Sequence, residues 1–306
     1  MKENTLSIAN NGKYNVKLIS GKDSICLTNL PNDINCDSAW FSLFDKNNEE
    51  KNSQRVTKYK DQLAYHVQYE DPGHYSMQVM IPKAAGSSWY TMWLRNVPVI
   101  IDKDRMVYFE SAPVYEHNVK VFNNLKKDMA TLEKYKIVPS GCNKEIVSKA
   151  YEITKWCFTD YSKALAIHDW IAENIYYDWD SYTNCKIDYS KLGKASQVFS
   201  RKLAVCAGYS DLAVSMLRSL GIPAFSQSCY ALGFSTSGRW TDKNVHNQSN
   251  HAITMVYLQK RWMIMDITWD SQNKYQHGSF QQKGHVDHRY FDPTLQYFSN
   301  THKVCG

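Results

Sequence analysis

The sequence predicts an α+β protein with two domains, an antiparallel β-sandwich followed by a mixed helical and stranded domain. From Lys13 to Ile101, short runs place apolar or aromatic side chains at every second position, as in half-buried strands. After Pro98 the apolar residues recur at helical spacing. The 306 residues suffice for two domains, and 43% hydrophobic residues are enough to form their cores.

The first domain is predicted to span residues 1–118. Four runs, YNVKL, SAWFSLF, QLAYHVQY and HYSMQVMI, alternate in this way and are separated by turn clusters such as LPND and EDPG. Their spacing indicates antiparallel strands of a sandwich. The aromatic residues are expected in its core, and a binding surface that includes Trp89 and Trp93 is the less favoured alternative.

Helical runs follow. Val119–Tyr135 predicts a helix within a linker that spans residues 119–140, and the second domain then covers 141–306. Lys144–Cys157 predicts another helix, and Asp160 is placed to cap a third. On that third helix the residues expected to face the core are Ala164, Ile167, Ile171 and Ile175.

The stretch AVCAGYSDLAVSMLRSLGIPA, Ala204 to Ala224, predicts a helix that begins at Cys206 and ends at Leu220. Gly221 suits a left-handed C-terminal residue, and Pro223 cannot continue the helix. A thiol in the first helical turn is near unpaired N–H groups and the positive end of the helix dipole. Both favour the nucleophilic thiolate.

Two predicted strands, HAITMVYLQ and RWMIMDITW, are joined by a tight turn near Gln259–Arg261. His251 opens the first strand, and Asp266 lies within the apolar second strand, where an unpaired carboxylate would be costly. In a hairpin, Asp266 can accept the imidazole N–H of His251. Cys206, His251 and Asp266 are therefore the candidate nucleophile, base and orienting residue.

These segments resemble the transglutaminase-like superfamily, which is related to papain-like cysteine peptidases. The resemblance rests on Cys-Ala-Gly-Tyr before the helix, L-G-I-P-A, N-H-A and R-W-M-I-M-D-I-T-W-D. It extends upstream through IHDWIAENIYYDWD and downstream into HRYFDPTLQYFSNTHK. It implies a bacterial-type protein with an N-terminal immunoglobulin-like sandwich and a catalytic α+β domain. By the same resemblance, Cys206, His251 and Asp266 form the catalytic triad.

The implied reaction is amide-bond chemistry through a thioester, with a protein or peptide as substrate. Hydrolysis is preferred to transfer of a Gln acyl group to an amine, because no second amine site is evident. A catalytically silent binding or adhesion module is the third possibility. The backbone N–H of Cys206 is expected to contribute to the oxyanion hole, and Gln197 is the candidate for its second donor.

Other residues are predicted around the cleft. The candidates for its lining are Tyr209, Trp240 and Trp269, although each could instead be structural. The polar segment 233–250 is a candidate rim. His277, His285, Asp287 and His288 lack the spacing of familiar metal sites, and the chain has no D-x-D-x-D-G calcium loop. No metal or other cofactor is therefore predicted.

Charge, hydropathy and cysteine content bear on the partners and the cellular location of the protein. Thirty-six Lys and Arg against 30 Asp and Glu are a mild, scattered excess, so no nucleic-acid partner is expected, whereas a cell-wall or surface protein substrate remains open. No run reaches the length of a membrane span. The polar N-terminal stretch leaves the location open: secreted or cell-surface if an export signal precedes it, and cytoplasmic otherwise. The eight cysteines include no C-x-x-C pair, and their disulfide state is left open.

Overall fold

The computed structural model describes residues 2–11, 14–31, 36–68, 71–83, 87–233, 238–282 and 285–306. Contacts divide the chain into two compact units. Unit 1 comprises Met1–Val119, Ala231–Asn247 and Thr294–Lys303. Unit 2 comprises Lys120–Tyr230, Gln248–Pro293 and Val304–Gly306. The chain thus returns twice to unit 1 after leaving it, so the two units cannot be separated at a single position in the sequence.

The described strands of unit 1 form two antiparallel sheets. In chain order these strands are β1 (Lys2–Glu3), β2 (Thr5–Ser7), β3 (Lys17–Gly21), β4 (Ser24–Thr28), β5 (Ser38–Phe44), β6 (Glu50–Thr57), β7 (Gln62–His66), β8 (Gly73–Pro82), β9 (Tyr90–Ile101) and β10 (Val107–Glu110). The strand orders are β1-β10-β9-β8-β5-β6 and β2-β3-β4-β7. Fully buried Phe41 in β5 stacks on Tyr65 in β7, with ring centroids 5.2 Å apart, so the sheets share a core. The predicted sandwich is confirmed.

Helices make up most of the first part of unit 2. The helices of the chain are α1 (Tyr115–Asn124), α2 (Met129–Lys134), α3 (Lys144–Thr154), α4 (Asp160–Asn174), α5 (Trp179–Thr183), α6 (Tyr189–Leu192), α7 (Ala195–Arg201), α8 (Cys206–Ser219), α9 (Ile267–Asp270) and α10 (Leu295–Ser299), with a 3₁₀ turn at Asn244–His246. The later strands are β11 (Tyr176–Asp178), β12 (Leu203–Ala204), β13 (Ala224–Ala231), β14 (His251–Leu258), β15 (Arg261–Met265), β16 (Lys274–Gln276), β17 (Ser279–Gln281) and β18 (His302–Val304).

Two sequence predictions about helices are wrong, one about the extent of a helix and one about a cap. The predicted helix Val119–Tyr135 is two helices, because the Asp128 carboxylate accepts the Thr131 N–H at 2.9 Å and starts α2 afresh. The third helix is capped by Thr159 and not by Asp160. The Thr159 hydroxyl accepts the Ser162 N–H while the Ser162 hydroxyl accepts the Thr159 N–H, which is a capping box.

The core of unit 2 lies where the helical spacing predicted it. The four residues expected to face inward from α4 are each 0% exposed. Helix α8 ends as predicted, with Leu220 as its C-cap and Gly221 at a φ of 75°. Along its length α8 is buried against α3, α4 and the antiparallel strands β13, β14 and β15. The first residue of a buried helix is thereby held in a fixed place.

Among the residues that the structure describes, no helix combines the length and the apolar character needed to cross a membrane.

Candidate active site

Cys206 is the first residue of α8, and the backbone around it is tightly packed. Val205 precedes the helix without a side-chain cap, so the N–H groups of the first turn are not occupied by such a cap. The N–H of Val205 donates to the Leu192 carbonyl at 3.2 Å. A Cβ on Gly208 would lie 2.1 Å from that same oxygen. Glycine at position 208 is therefore what allows α8 to begin so close to Leu192.

Helix α8 is fastened to β14 one turn after the cysteine. The hydroxyl of Ser210 donates to the Ile253 carbonyl at 3.0 Å and accepts from the Thr254 hydroxyl at 3.1 Å. Both contacts are buried, where a satisfied hydrogen bond is costly to lose. They hold the start of α8 beside the start of β14, where His251 lies.

The hairpin of β14 and β15 brings His251 and Asp266 together. Thr254 pairs with Met265, so the next residue of the chain, Asp266, lies beside the beginning of β14. His251 Nε2 donates to Asp266 Oδ2 at 2.8 Å. The His251 side chain is 8% exposed and that of Asp266 is 0% exposed, so water screens this ion pair little.

Asp266 was predicted within the second strand, and this is wrong: β15 ends at Met265. Asp266 is the N-cap of the short helix α9, and its Oδ1 accepts the Trp269 N–H at 3.2 Å. Its own N–H donates to the Tyr290 carbonyl at 3.0 Å. These two hydrogen bonds fix Oδ1 and the backbone of Asp266, and so they orient Oδ2 toward His251.

Cys206 and His251 change each other's protonation. Burial by itself raises the pKa of the Cys206 thiol. The hydrogen bond and charge of His251, together with the hydrogen bond from the Ala252 N–H, lower the pKa by more, so that it lies below its usual 9.0. Burial lowers the pKa of His251, but the charge and hydrogen bond of Asp266, with a smaller contribution from Cys206, raise it to about 10. Since Asp266 takes Nε2, the Cys206 hydrogen bond falls to Nδ1. Both shifts favour a thiolate–imidazolium pair over a neutral thiol beside a neutral imidazole.

A buried polar network involves Asp270, the last residue of α9. His168 Nε2 is 3.1 Å from Asp270 Oδ2, and its Nδ1 is 3.0 Å from Asp169 Oδ1. Asp169 Oδ1 is also 2.6 Å from His288 Nε2. Asp270 accepts the Tyr290 N–H at 3.1 Å, and its own N–H donates to the Asp266 carbonyl at 3.2 Å. The network therefore fixes the turn that carries Asp266.

Burial lowers the pKa of His168, but its hydrogen bonds to Asp169 and Asp270 raise it to about 9. Burial raises the pKa of Asp270 to about 7. His168, Asp169 and His288 offer ligand atoms within 4.8 Å of one another, as a metal site would. Their separations of 3.0 and 2.6 Å are hydrogen-bond distances, so shared protons already account for the arrangement. Among His277, His285, Asp287 and His288, which were considered as metal ligands from the sequence, His288 joins this network and Asp287 binds Arg289.

One residue near the thiol was missed by the sequence analysis. Tyr177 is the middle residue of β11, whose neighbours are β12 and β16. Burial and the negative charge of Cys206 raise the pKa of the Tyr177 hydroxyl, so this side chain is within electrostatic reach of the thiolate and stays protonated. Its only sequence signal is a place in the tyrosine pair of NIYYD, which does not reveal which tyrosine lies within electrostatic reach of the cysteine.

The other predicted site residues have distinct positions. Gln197 is exposed in the middle of α7. Tyr209 is 1% exposed and its hydroxyl donates to the Ile175 carbonyl at 3.0 Å, so it belongs to the core and does not line a cleft. The ring of Trp269 is 6.2 Å from that of His251. Trp240 is in unit 1, where its indole N–H donates to the Ser299 carbonyl at 2.8 Å.

Comparison with known proteins finds a family match over the part of the chain that holds this candidate site. A sequence model of the transglutaminase-like superfamily matches residues 147–267, which contain Cys206, His251 and Asp266. Kyphoscoliosis peptidase of Mus musculus is 29% identical over 134 residues, 44% of this chain and 19% of that protein. The Homo sapiens kyphoscoliosis peptidase is 26% identical over 167 residues, 53% of this chain and 24% of that protein. The chain thus spans about a fifth to a quarter of the length of these relatives.

Among solved structures, the periplasmic domain of TgpA from Pseudomonas aeruginosa is 12% identical to this chain. The alignment covers 79% of this chain and 84% of that chain, with a TM-score of 0.36.

Proposed function

Residues 147–267 form a transglutaminase-like superfamily domain, and we propose that it cleaves amide bonds of a protein or peptide substrate through a Cys206 thiolate. The observation that carries the proposal is the pairing of a first-turn helical thiol with a histidine whose other nitrogen is bound, at 2.8 Å, by a buried carboxylate. Thiol activation needs a base held by a third group, and this arrangement supplies both.

The reaction proceeds through a thioester. The Cys206 thiolate attacks the amide carbonyl carbon, and the carbonyl π electrons move to oxygen. The tetrahedral intermediate collapses, the C–N bond breaks, and the leaving amine takes the Nδ1 proton of His251. Water then attacks the thioester and gives a proton to His251, and collapse releases the carboxylic acid and regenerates the ion pair. Asp266 stays ionised throughout and stabilises the imidazolium.

The intermediate needs donors at the place where negative charge develops. The backbone N–H of Cys206 is one. For the second we favour the Tyr177 hydroxyl over Gln197, because Tyr177 interacts electrostatically with Cys206 whereas Gln197 is exposed on α7. A phenol whose pKa is raised by burial keeps its proton and can donate it to an oxyanion.

Hydrolysis is preferred to acyl transfer because two relatives that match this chain are named peptidases. Both reactions share the thioester, and they differ in whether water or an amine resolves it. Incubation with casein and a fluorescent primary amine separates them. New free N-termini without incorporated label support hydrolysis, and label in casein at the expense of new N-termini supports transfer.

The test of the proposal is alkylation with limiting iodoacetamide at pH 6, followed for each cysteine by peptide mass spectrometry. Cys206 is expected to react much faster than Cys185, which is exposed and therefore controls for access. The advantage should disappear in His251→Ala. Loss of casein cleavage in Cys206→Ala completes the assignment. Equal alkylation of Cys206 and Cys185, with unchanged cleavage in Cys206→Ala, would contradict it.

A further inference from the structure

The lining residues of one pocket all belong to unit 1, and none of them has a part in the proposed reaction. It has a volume of about 470 Å³, within the ~300–1,000 Å³ of small-molecule sites. Residues of strands β8, β9 and β10 line it, together with Arg239 and Trp240. Its wall contains two aromatic rings, of Tyr75 and Trp240, and a small number of polar side chains. Such a mixture is typical of a site that binds a small polar ligand.

The most informative residue in the wall is Asn96. It is 6% exposed, and within the part of the chain that the structure describes its Nδ2 has no hydrogen-bond partner. Leaving a buried amide donor unpaired costs roughly 1–3 kcal/mol. Asn96 lines the pocket, so a ligand oxygen placed there would satisfy the donor.

The backbone presents Asn96 by a local irregularity. Met77 pairs with Val97 and Val79 pairs with Leu94, so Arg95 and Asn96 oppose the single residue between Met77 and Val79. Asn96 has a φ of 53°, in the left-handed region. A bulge of this kind turns a side chain out of the regular alternation, and such bulges are frequent next to functional sites.

The wall carries charges of both signs, and most of them are paired within the protein. Two carboxylates, Asp45 and Glu110, oppose two cations, Lys46 and Arg239. Asp45 accepts the Asn47 and Glu49 N–H groups at 2.8 and 3.0 Å. Its other oxygen is 3.1 Å from the Lys51 ammonium group, outside the wall. Asp45 is therefore already neutralised and hydrogen-bonded within the protein.

The other charges are held in the same way. Glu110 is 3.0 Å from His74 Nδ1. The Arg239 guanidinium donates to the carbonyls of Asp45 and Lys46 at 3.0 to 3.2 Å. Only Lys46 projects as an exposed cation at the rim. Since the other charges are paired within the protein, the remaining recognition groups are the aromatic faces, the Asn96 amide and the hydroxyls of Ser76 and Ser111.

We propose that this pocket binds a neutral saccharide. The C–H face of a sugar ring packs on aromatic side chains, and its hydroxyl or acetamido oxygens accept hydrogen bonds from an amide such as Asn96. The same ring hydroxyls donate to carboxylate and hydroxyl oxygens. A neutral ring needs no unpaired charge from the protein, and apart from the exposed Lys46 the charged groups of this wall are paired within it.

The test is binding to the full chain, measured by saturation-transfer NMR and calorimetry. The probes are cellotriose, maltotriose and triacetylchitotriose, with trigalacturonate as an anionic comparison. At least one neutral trisaccharide is expected to bind, more tightly than trigalacturonate. Asn96→Gly should weaken it about tenfold, the effect of one lost buried hydrogen bond, and glycine accepts a φ of 53° without strain.

Asn29→Gly is the matched control, since Asn29 is exposed, has a φ of 58° and follows β4 in the other sheet. It should bind as the unchanged protein does. Tyr75→Leu, which removes an aromatic face, gives an independent second variant and should also weaken binding. The proposal is overturned if no neutral trisaccharide binds at millimolar concentration, if trigalacturonate binds more tightly, or if Asn96→Gly and Tyr75→Leu both leave binding unchanged.

Discussion

The Asp266 carboxylate lies 2.8 Å from His251 Nε2, and its second oxygen caps the helix that begins at the next residue. One buried side chain therefore orients the imidazole and is itself oriented by a backbone N–H. This double attachment explains why a carboxylate is stable among Met263, Ile264 and Met265. It also makes the electrostatic and the structural roles of Asp266 separable by mutation.

Asp266→Asn is expected to lower the reactivity of Cys206 without unfolding the protein. The amide oxygen can still accept the Trp269 N–H, but the negative charge that raises the pKa of His251 is gone. We expect the rate constant for iodoacetamide at pH 7 to fall at least about tenfold, the equivalent of one pKa unit. In Asp266→Ala the rate constant should fall as far. This variant should also lose ~1 kcal/mol in the free energy of unfolding, because the N-cap of α9 is removed. Unchanged alkylation in Asp266→Asn would refute the electrostatic role.

The pH dependence of alkylation follows from the two shifted groups. The pKa of Cys206 lies below 9.0, so its alkylation rate should reach half its maximum below pH 9. Burial raises the pKa of Cys142, which serves as an internal comparison and should titrate above pH 9. In His251→Ala the effect of burial remains while that of the imidazolium is lost, so the half-maximum for Cys206 should move above pH 9. A half-maximum at or above pH 9 in the unchanged protein would contradict the ion pair.

Casein cleavage should depend on pH at both ends of the range. Turnover requires the thiolate and a protonated His251, so it rises as Cys206 ionises and falls as His251 loses its proton near pH 10. A bell-shaped profile of kcat/KM with its alkaline limb near pH 10 is expected. An alkaline limb at the ordinary histidine pKa near ~6.5 would show that Asp266 does not stabilise the imidazolium.

Much of the site was predictable because its signals are local. Gly221 and Pro223 mark the end of α8, and the tight turn at Gln259–Arg261 folds His251 toward Asp266. The partners of Asp266 on its other side were not predictable. His168 and Asp270 are separated by 102 residues, and no period or spacing in the sequence relates them. Tyr177 escaped notice for the same reason, since its proximity to Cys206 arises only from tertiary packing.

Gly208→Ala should disturb the start of α8. The added Cβ would lie 2.1 Å from the Leu192 carbonyl and 2.8 Å from Val198 Cγ2, so backbone must move. We expect a loss of roughly 1–3 kcal/mol in the free energy of unfolding, together with slower alkylation of Cys206. Gly141→Ala is the control, because no atom lies within 4 Å of its added Cβ. Equal unfolding midpoints in urea for the two variants would contradict the role of Gly208.

His168→Gln should destabilise the protein and change how its stability depends on pH. Asp270 would lose its cationic partner in a fully buried place, at a cost of roughly 3–5 kcal/mol. The pKa of His168 is raised to about 9, so the folded protein holds a proton that the unfolded chain releases above ~6.5. Its stabilising contribution is complete below that pH and is lost as the pH rises to about 9.

Urea unfolding of both proteins from pH 6 to 10, followed by circular dichroism, measures this effect. The difference between the unchanged protein and His168→Gln should shrink as the pH rises through 9. His66→Gln, a substitution at an exposed position of β7, should leave the curve unchanged. A difference that is constant across the range would mean that His168 is neutral in the folded protein.

Tyr177→Phe tests the second oxyanion donor. Removal of one such donor from a serine protease costs about 10²–10³ in kcat, and we expect a similar loss of casein cleavage with little change in KM. Alkylation of Cys206 should be nearly unaffected, because iodoacetamide displacement forms no oxyanion. Tyr176→Phe is the matched control, since its ring packs on Phe280, with centroids 4.9 Å apart. If Tyr177→Phe cleaves casein as fast as Tyr176→Phe while Gln197→Ala loses activity, the donor is Gln197, and α7 must approach the thiol when substrate binds.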